Sequence, residues 1–316
     1  MKKCIKICVK LLMYYSPACL QHYLHQIVEK REIRDGVARA KRTKVSKEEL
    51  KEKISALNLD TDVMLHSSML NIGKLQGGAK FVVKTLTDKI DLSQNTLVAS
   101  ALPFRGAFKE YLETKTVFDV RNAPIAMGAV NECIALLPGA KRSIHPTHSV
   151  VAIGSDAEEY TSVHHLGQTP FGEYSPYYKL IEHRAKILLL GATLNNLTLI
   201  HAIEDMLGEL HPFNVYDKKR YAVDCLDENG RHLTVNTTCH APLLGIFRDS
   251  GFLYDDLILQ GVMETIPLGE AELCTIDAYK FCIFYLDKLA SGCSIYGRFK
   301  PSEKLKVYIS VLKNKI

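Results

Sequence analysis

ILLLGATLNNLTLIHAIEDML, residues 187–207, is the stretch on which the reading of the fold turns. Four aliphatic residues, Ile187–Leu190, end at Gly191, which has the length and composition of a strand buried on both faces. Beyond a polar turn, Thr198–Leu207 switches to helical spacing. A strand feeding a helix is the repeating unit of an α/β layer. The alternation recurs upstream: Val63-Met64-Leu65 predicts a buried strand ended by His66-Ser67-Ser68, Gly77-Gly78 leads into a helix over Ala79–Leu86, and Thr96-Leu97-Val98-Ala99 predicts another strand. Downstream, Tyr221–Leu226 and His232–Thr238 flank Asp227-Glu228-Asn229-Gly230 and predict a β-hairpin with an Asn-Gly turn. The last third is expected to return to helix, with Ala271–Leu289 as one long amphipathic element. The fold class expected is α/β.

Bulk properties narrow the options further. The 316 residues, 47% hydrophobic and 24% charged, suit a globular chain that needs neither disulfides nor a structural metal. Nine cysteines, an odd number without C-x-x-C spacing, read as reduced thiols in a cytosolic protein. The net charge of +5 is concentrated at one end: residues 1–53 hold fourteen Lys/Arg against six Asp/Glu, so the remainder is slightly acidic. That argues against a nucleic-acid groove in the body.

Residues 1–45 are read as a basic, amphipathic, helical N-terminal extension and 46–316 as one domain. In KKCIKICVKLLM (2–13), Ile5, Cys8, Val9 and Leu12 share one helical side while Lys2, Lys3, Lys6 and Lys10 share another. This is the pattern of a helix in a membrane interface, too short to span a bilayer and with lysines where a signal peptide would be apolar. Packing on the domain or on a partner is the competing reading. The expected location is cytoplasmic; peripheral contact at the inner membrane face and homo-oligomer formation stay open. Ser46 and Glu49 are placed to form a capping box that opens a helix bearing Leu50, Ile54 and Leu57.

Three segments concentrate small, polar and imidazole residues near strand ends, where α/β proteins bind ligands. The first is His66-Ser67-Ser68 with Gly73 and Gly77-Gly78. The second is Pro138-Gly139-Ala140-Lys141-Arg142-Ser143-Ile144-His145-Pro146, followed by Leu166 through Pro176. The third is Leu189-Leu190-Gly191 with His201 and Glu204 on the helix that follows.

Together these stretches resemble the antibiotic N-acetyltransferase family, whose named members acetylate aminoglycosides at the 3-amino group. The resembling features run in family order from Val63-x-x-His66-Ser67-Ser68 through Gly77-Gly78-Ala79, Phe118-Asp119, Met127-Gly128, Arg142-Ser143-x-His145-Pro146 and Gly172-x-x-Ser175-Pro176 to Thr198-x-x-His201-x-x-Glu204. They cover about residues 46–290. The resemblance implies a layered mixed sheet with flanking helices, acetyl-coenzyme A as cosubstrate without a metal, and direct acyl transfer to a primary amine of an amino sugar or related compound. It implies His201 as general base, with Glu204 and His145 in the catalytic set. It carries Ser67, Ser68, Arg142, Ser143, Phe171, Gly172 and Ser175 onto the pantetheine and phosphate side, and Asp119, Tyr174, Asn236 and His240 onto the acceptor side. One departure stands out: the family places a carboxylate after the second hairpin strand, and no Asp or Glu occurs between Glu228 and Asp249. Asn236, Thr238 or His240 is expected in its place, and a polycationic antibiotic should be held less well. A precursor of a cell-surface polysaccharide is an acceptor to consider on the basis of residues 2–13 alone, because a membrane-surface helix would bring the enzyme to lipid-linked intermediates. The alternative is a non-catalytic ligand-binding homologue. A hydrolase is disfavoured, because neither metal-ligand spacing nor a G-x-S-x-G elbow is present.

Plainer readings stand beside these. His201 has the position of a packed or capping residue, and His145, before Pro146, could fix a turn through its ring. His164-His165 reads as a loop pair and not half a metal site. Cys239-His240 cannot pair with each other, since neighbours on a strand point to opposite faces. Tyr174, Tyr177 and Tyr178 either line the acceptor pocket or pack.

Overall fold

The structure is a computed structural model that describes Ile7, Cys8, Leu11, Tyr14, Tyr15 and residues 18–316 except Lys115, with backbone only at 18–26 and 29. Apart from Ile7, Cys8 and Leu11, the basic segment 2–13 lies outside the described residues. Ten strands are used below: β1 (Val63–Ser67), β2 (Thr96–Ser100), β3 (Phe118–Asp119), β4 (Lys141–Arg142), β5 (Val150–Gly154), β6 (Lys186–Leu190), β7 (Tyr221–Leu226), β8 (His232–Thr237), β9 (Met263–Leu268) and β10 (Ala271–Asp277). Seven form one sheet in the order β9-β10-β6-β1-β2-β5-β4. The central β6, β1 and β2 are parallel, and antiparallel strands close both edges. The sheet is mixed, as the resemblance implies.

Because successive side chains on a strand face opposite ways, the apolar runs read in the sequence split between two cores. Met64, Val98, Ile187 and Leu189 join one cluster, and Val63, Leu65, Leu97, Leu188 and Leu190 join the other. Helix α1 (Lys47–Ser55), α2 (Gly78–Lys89) and α3 (Ala129–Ala135) cover the second face through Leu50, Ile54, Val82, Val83, Leu86, Val130 and Ile134. The first face is covered by α4 (Pro176–Glu182), α5 (Leu199–Leu207), α6 (Ala278–Ala290) and α7 (Glu303–Lys313). The helix before β2 and the helix before β6 thus lie on opposite faces of the sheet, with β1 between those two strands. That is a topological switch point, and it opens a crevice beyond the carboxyl ends of the parallel strands.

The hairpin β7–β8 has the predicted strands, and β3 pairs with β7 to make a second, three-stranded sheet with its own small core. The turn differs from expectation. Gly230 takes a positive φ of 77° while Asn229 does not, and the Asp227 N–H donates to Arg231 O at 3.0 Å, so the connection is a five-residue loop and not a two-residue type I′ turn. Of the capping box, Ser46 Oγ accepts from the Glu49 N–H at 3.0 Å.

The expected helix over Ala271–Leu289 is corrected. Ala271–Asp277 is a strand paired on both sides, and the helix begins at Ala278. Helical periodicity belongs to residues 278–290, and two-sided pairing claims the segment before it. Asp277 marks the change, its side chain accepting from the Lys280 N–H as an N-cap. Gly269-Glu270 makes the tight turn between β9 and β10, with Gly269 at φ 59°, where an added Cβ would lie 2.3 Å from Ile72 O.

Residues Ala18–Arg42 form a helix of 25 residues whose C-terminal half is anchored to the body. Arg39 Nε donates to Leu70 O at 2.8 Å, and Arg42 pairs with Glu270 at 2.7 and 2.5 Å. Just after it, Lys44–Val45 pairs in parallel with Lys74–Leu75. Among the described residues no helix is long and apolar enough to cross a membrane.

Candidate active site

The crevice at the switch point holds a cavity of about 220 Å³. Strand β1 delivers His66 and Ser67 to it, β2 delivers Ser100, and the loop after β6 delivers Ala192, Asn195 and Asn196. Thr198, at the N-cap of helix α5, and His201 within it enter the same space. Gly191 lets the chain leave β6 at that angle: its φ is +66°, and a Cβ there would stand 2.7 Å from Ser68 O and 2.6 Å from the Ile72 side chain. From the other side come Phe171, His148, His240 and Arg248.

His201 and Glu204 are three residues apart on α5, hence on one face of the helix. His201 Nδ1 and Glu204 Oε2 are 2.7 Å apart, and both side chains are buried. A carboxylate can only accept, so Nδ1 carries the proton and Nε2 keeps its lone pair. Tyr296 OH donates to the same Glu204 oxygen at 3.2 Å. Burial, reinforced by the charge of Arg248, pushes the His201 pKa well below its ordinary value, so the ring is a free base at neutral pH. Burial raises the Glu204 carboxyl. His240 packs against His201 with ring centres 4.1 Å apart and stacks on Tyr216 at 5.0 Å. Of the residues expected after the second hairpin strand it is the one beside His201, and Glu204 supplies the hydrogen bond that orients the His201 ring.

His201, Glu204 and His240 bring their ligand atoms within 4.8 Å of one another, a spacing a cation could bridge. His201 Nδ1 is committed to Glu204, however, and Arg248 lines the same cavity, which opposes a cation.

Of the residues expected on the cofactor side, Ser67 and Phe171 line the cavity, and Gly172 lines a neighbouring recess of about 700 Å³ together with Glu204 and Asp205. The others serve the fold. Arg142 donates through Nε to Ser149 Oγ at 3.0 Å, through Nη1 to Ala123 O, and through Nη2 to Ala101 O and Pro124 O at 2.6 and 3.0 Å. Four of its five N–H donors are spent on the protein, so it staples loops together and is not poised for a phosphate. Ser143 Oγ accepts from the Val150 N–H at 2.9 Å and donates to His164 Nδ1 at 3.0 Å. Ser175 caps α4 through the Tyr178 N–H at 3.1 Å. Ser68 precedes a four-residue helical turn, its N–H donating to Leu190 O at 2.8 Å.

His145 is not at the cavity. Its Nδ1 accepts from the Thr147 and His148 N–H groups at 3.3 and 3.0 Å, and its Nε2 donates to Thr237 Oγ1 at 3.3 Å, so the ring fixes the turn before β5. His164 is likewise consumed, its Nε2 donating to Pro170 O at 3.0 Å. On the acceptor side only His240 reaches the cavity. Asp119 folds back on Arg121 and Asn122, Asn236 is exposed on β8, and Tyr174 is exposed on its loop. Tyr177 is buried, its hydroxyl donating to His148 O at 3.3 Å.

Sequence reasoning did not single out His148, Asn131, Tyr296 or Arg248. His148 and Arg248 reach the site from distant loops with no local pattern around them. Tyr296 lies beyond the stretch that carries the resemblance. Asn131 alone follows a cue, the Met127-Gly128 pair just upstream.

Comparison with known proteins identifies the family. The family model described as aminoglycoside 3-N-acetyltransferase matches residues 64–290. Aminoglycoside N(3)-acetyltransferase III of Serratia marcescens is 34% identical over 154 residues, 45% of this chain and 56% of that protein. Aminoglycoside N(3)-acetyltransferase IX of Micromonospora chalcea is 29% identical over 174 residues, 51% of this chain and 62% of the relative. The chain thus spans little more than half the length of the curated relatives it matches. Among solved structures, aminoglycoside acetyltransferase AAC(3)-IIb superposes with a TM-score of 0.61 at 26% identity over 77% of this chain and 97% of that one. The binary complex of AAC-IIIb with CoASH gives 0.61 at 23% identity over 78% and 97%, a likeness of fold. The chain belongs to the aminoglycoside 3-N-acetyltransferase family.

Proposed function

We propose that this protein transfers the acetyl group of acetyl-coenzyme A directly to a primary amine of an amino sugar or related compound, with His201 as general base. The hydrogen bond between His201 and Glu204 at the cavity is the observation that carries the reading. The thioester supplies an activated acyl group. His201 Nε2 takes the amine proton as nitrogen attacks the thioester carbonyl; the C–N bond forms, the C–S bond breaks, and coenzyme A leaves as a thiolate that takes a proton from the imidazolium, while Glu204 holds Nδ1–H. Glu204 steadies the imidazolium formed in that step and acts as a positioning residue. Because the base is neutral before reaction, no proton has to leave the site first.

The acceptor class is supported by relatives: a solved neighbour, AAC-VIa, is bound to sisomicin. A non-catalytic ligand-binding homologue is the second reading, and the support that Glu204 gives His201 favours catalysis over it. A role in cell-surface polysaccharide synthesis rests on segment 2–13 alone, most of which lies outside the described residues.

The test is release of free thiol from acetyl-coenzyme A in the presence of an amine panel. His201→Ala should lower kcat by about 100-fold or more, the range of a positioned general base. Glu204→Gln should lower kcat with little change in KM. Turnover by His201→Ala at the parent rate would remove the base assignment.

A further inference from the structure

Arg248 lines the reaction cavity, yet the transfer step just described gives it no part. It follows the short helix Pro242–Phe247, and the chain beyond it is pinned twice. The Asp249 N–H donates to Ile295 O at 2.9 Å, and the Ser250 N–H donates to Asn195 Oδ1 at 2.9 Å. The loop is therefore held, while two nitrogens of the guanidinium, Nε and Nη2, are buried and have no hydrogen-bond partner. Arg142 shows the contrary arrangement, with four donors spent on the protein's own oxygens. Arg248 is half-buried and feels the charge of Glu204, but two buried nitrogens without an acceptor are costly, and they suit an oxyanion brought from outside the chain.

The surrounding charges sharpen this. Among the described residues that line the cavity none is Asp or Glu. Glu204 stands behind His201 and spends one oxygen on His201 and Tyr296. Burial holds His66, His148, His201 and His240 on the neutral side at ordinary pH. The guanidinium of Arg248 is thus the one formal charge on the lining, and it is positive.

We propose that Arg248 is a specificity residue that pairs with a carboxylate or phosphate carried by the acceptor close to its reacting amine, which makes the acceptor class an acidic amino sugar or another anionic amine. The proposal rests on the acyl-transfer reading above. A planar fork of donors suits either oxyanion. The phosphates of coenzyme A are a poorer match, because the pantetheine arm separates them from the thioester that must meet His201. A polycationic acceptor would face a like charge at short range. The cavity is also small, about seven waters' worth at about 30 Å³ each, so it admits the reacting end of an acceptor and little more.

The experiment compares amines that differ only in the anion: glucosamine, 2-amino-2-deoxyglucuronate and glucosamine 6-phosphate, each with acetyl-coenzyme A and thiol release as readout. The full-length protein should prefer one of the anionic members by at least about tenfold in kcat/KM, and the carboxylate and phosphate arms show which is read. Arg248→Gln should bring the anionic-to-neutral ratio close to one by raising KM for the anionic amine, and Arg248→Lys should restore part of it. An equal fall in kcat for neutral and anionic amines would place Arg248 on the developing oxyanion instead and overturn the proposal. A rise in KM for acetyl-coenzyme A would overturn it in favour of a phosphate contact. A parallel arm keeps the test independent of turnover. In His201→Ala the chemistry is off but Arg248 remains, so melting should be raised by the anionic amines only, and His201→Ala/Arg248→Gln should lose that shift. Anion-selective stabilisation without turnover in the parent protein would uphold Arg248 while rejecting the acyl-transfer reading. Stabilisation indifferent to charge would reject the proposal.

Discussion

Arg142 and His145 sit in the most recognisable stretch of this sequence, and both turn inward. Arg142 bridges Ala101, Ala123, Pro124 and Ser149, while the ring of His145 ties the 145–148 turn to Thr237. Desolvation lowers the Arg142 pKa to about 10, which leaves it charged at neutral pH and strengthens its bonds to the carbonyls. Arg142→Met is therefore expected to cost on the order of 3 kcal/mol in urea unfolding, since hydrogen bonds to charged groups contribute about 1.5–3 kcal/mol each. Its KM for acetyl-coenzyme A should move by less than about threefold, the reading for a residue outside substrate contact. A large rise in KM at unchanged stability would return Arg142 to the phosphate. The lesson at this scale is that a shared motif marks what a fold needs as well as what its chemistry needs. Arg248, His148 and Tyr296 have no motif around them, yet they stand at the cavity or its base.

At the scale of elements, the sheet separates function from support. The carboxyl ends of β6, β1 and β2 carry the cavity, and the opposite end is tied by Asp62 just before β1. Asp62 accepts from the Thr96 N–H at 2.7 Å, from Tyr160 OH at 2.8 Å and from His183 Nδ1 at 2.9 Å, joining two strands to the end of α4. The bond to Asp62, with a second to Glu159, raises the His183 pKa to about 9 despite partial burial. The unfolded value is about 6.5, so the folded state binds the proton more tightly. The stabilisation is fully present below about pH 6.5 and is lost as pH rises through about 9. The difference in urea midpoint between the parent and His183→Gln should accordingly be largest near pH 6 and shrink by pH 9.5. A difference constant over that range would show that the ion pair contributes nothing.

Taken as a whole, the molecule buries an unusual set of neutral imidazoles between the main sheet and the β7–β8 sheet. Burial lowers the pKa of His66 to about 4 and of His164 to about 3, and depresses His145, His148, His201 and His240 as well. All six titrate near 6.5 when unfolded, so below that pH the unfolded chain binds more protons than the folded one. Stability should be complete above about pH 6.5 and decline as pH falls, each histidine contributing up to about 1.4 kcal/mol per pH unit until its folded pKa is reached. Urea unfolding at pH 7, 6 and 5 reads this directly, and equal midpoints at all three would refute it. With His183 acting in the opposite sense, greatest stability should fall near neutrality.

The chain's local patterns were enough for the layered α/β class, the central strands, the hairpin and the placing of His201 and Glu204 on one helix. Each of these depends on spacing within a few residues, where the period of the backbone decides which side chains share a face. The strand at Ala271–Asp277 was not legible, because its identity comes from partners on both sides and not from its own period. The same holds for the cavity. Its lining is assembled from β1, β2, α5 and the loops around residues 148, 171, 240 and 248, and only the tertiary structure decides which of these meet. The sequence showed that no Asp or Glu lies between Glu228 and Asp249, where the resemblance led to the expectation of a carboxylate. Packing decided that Glu204 bonds to His201, that His240 packs on the same ring, and that Arg248 lines the cavity beside them, because contact between residues far apart in the chain is settled by how the layers stack.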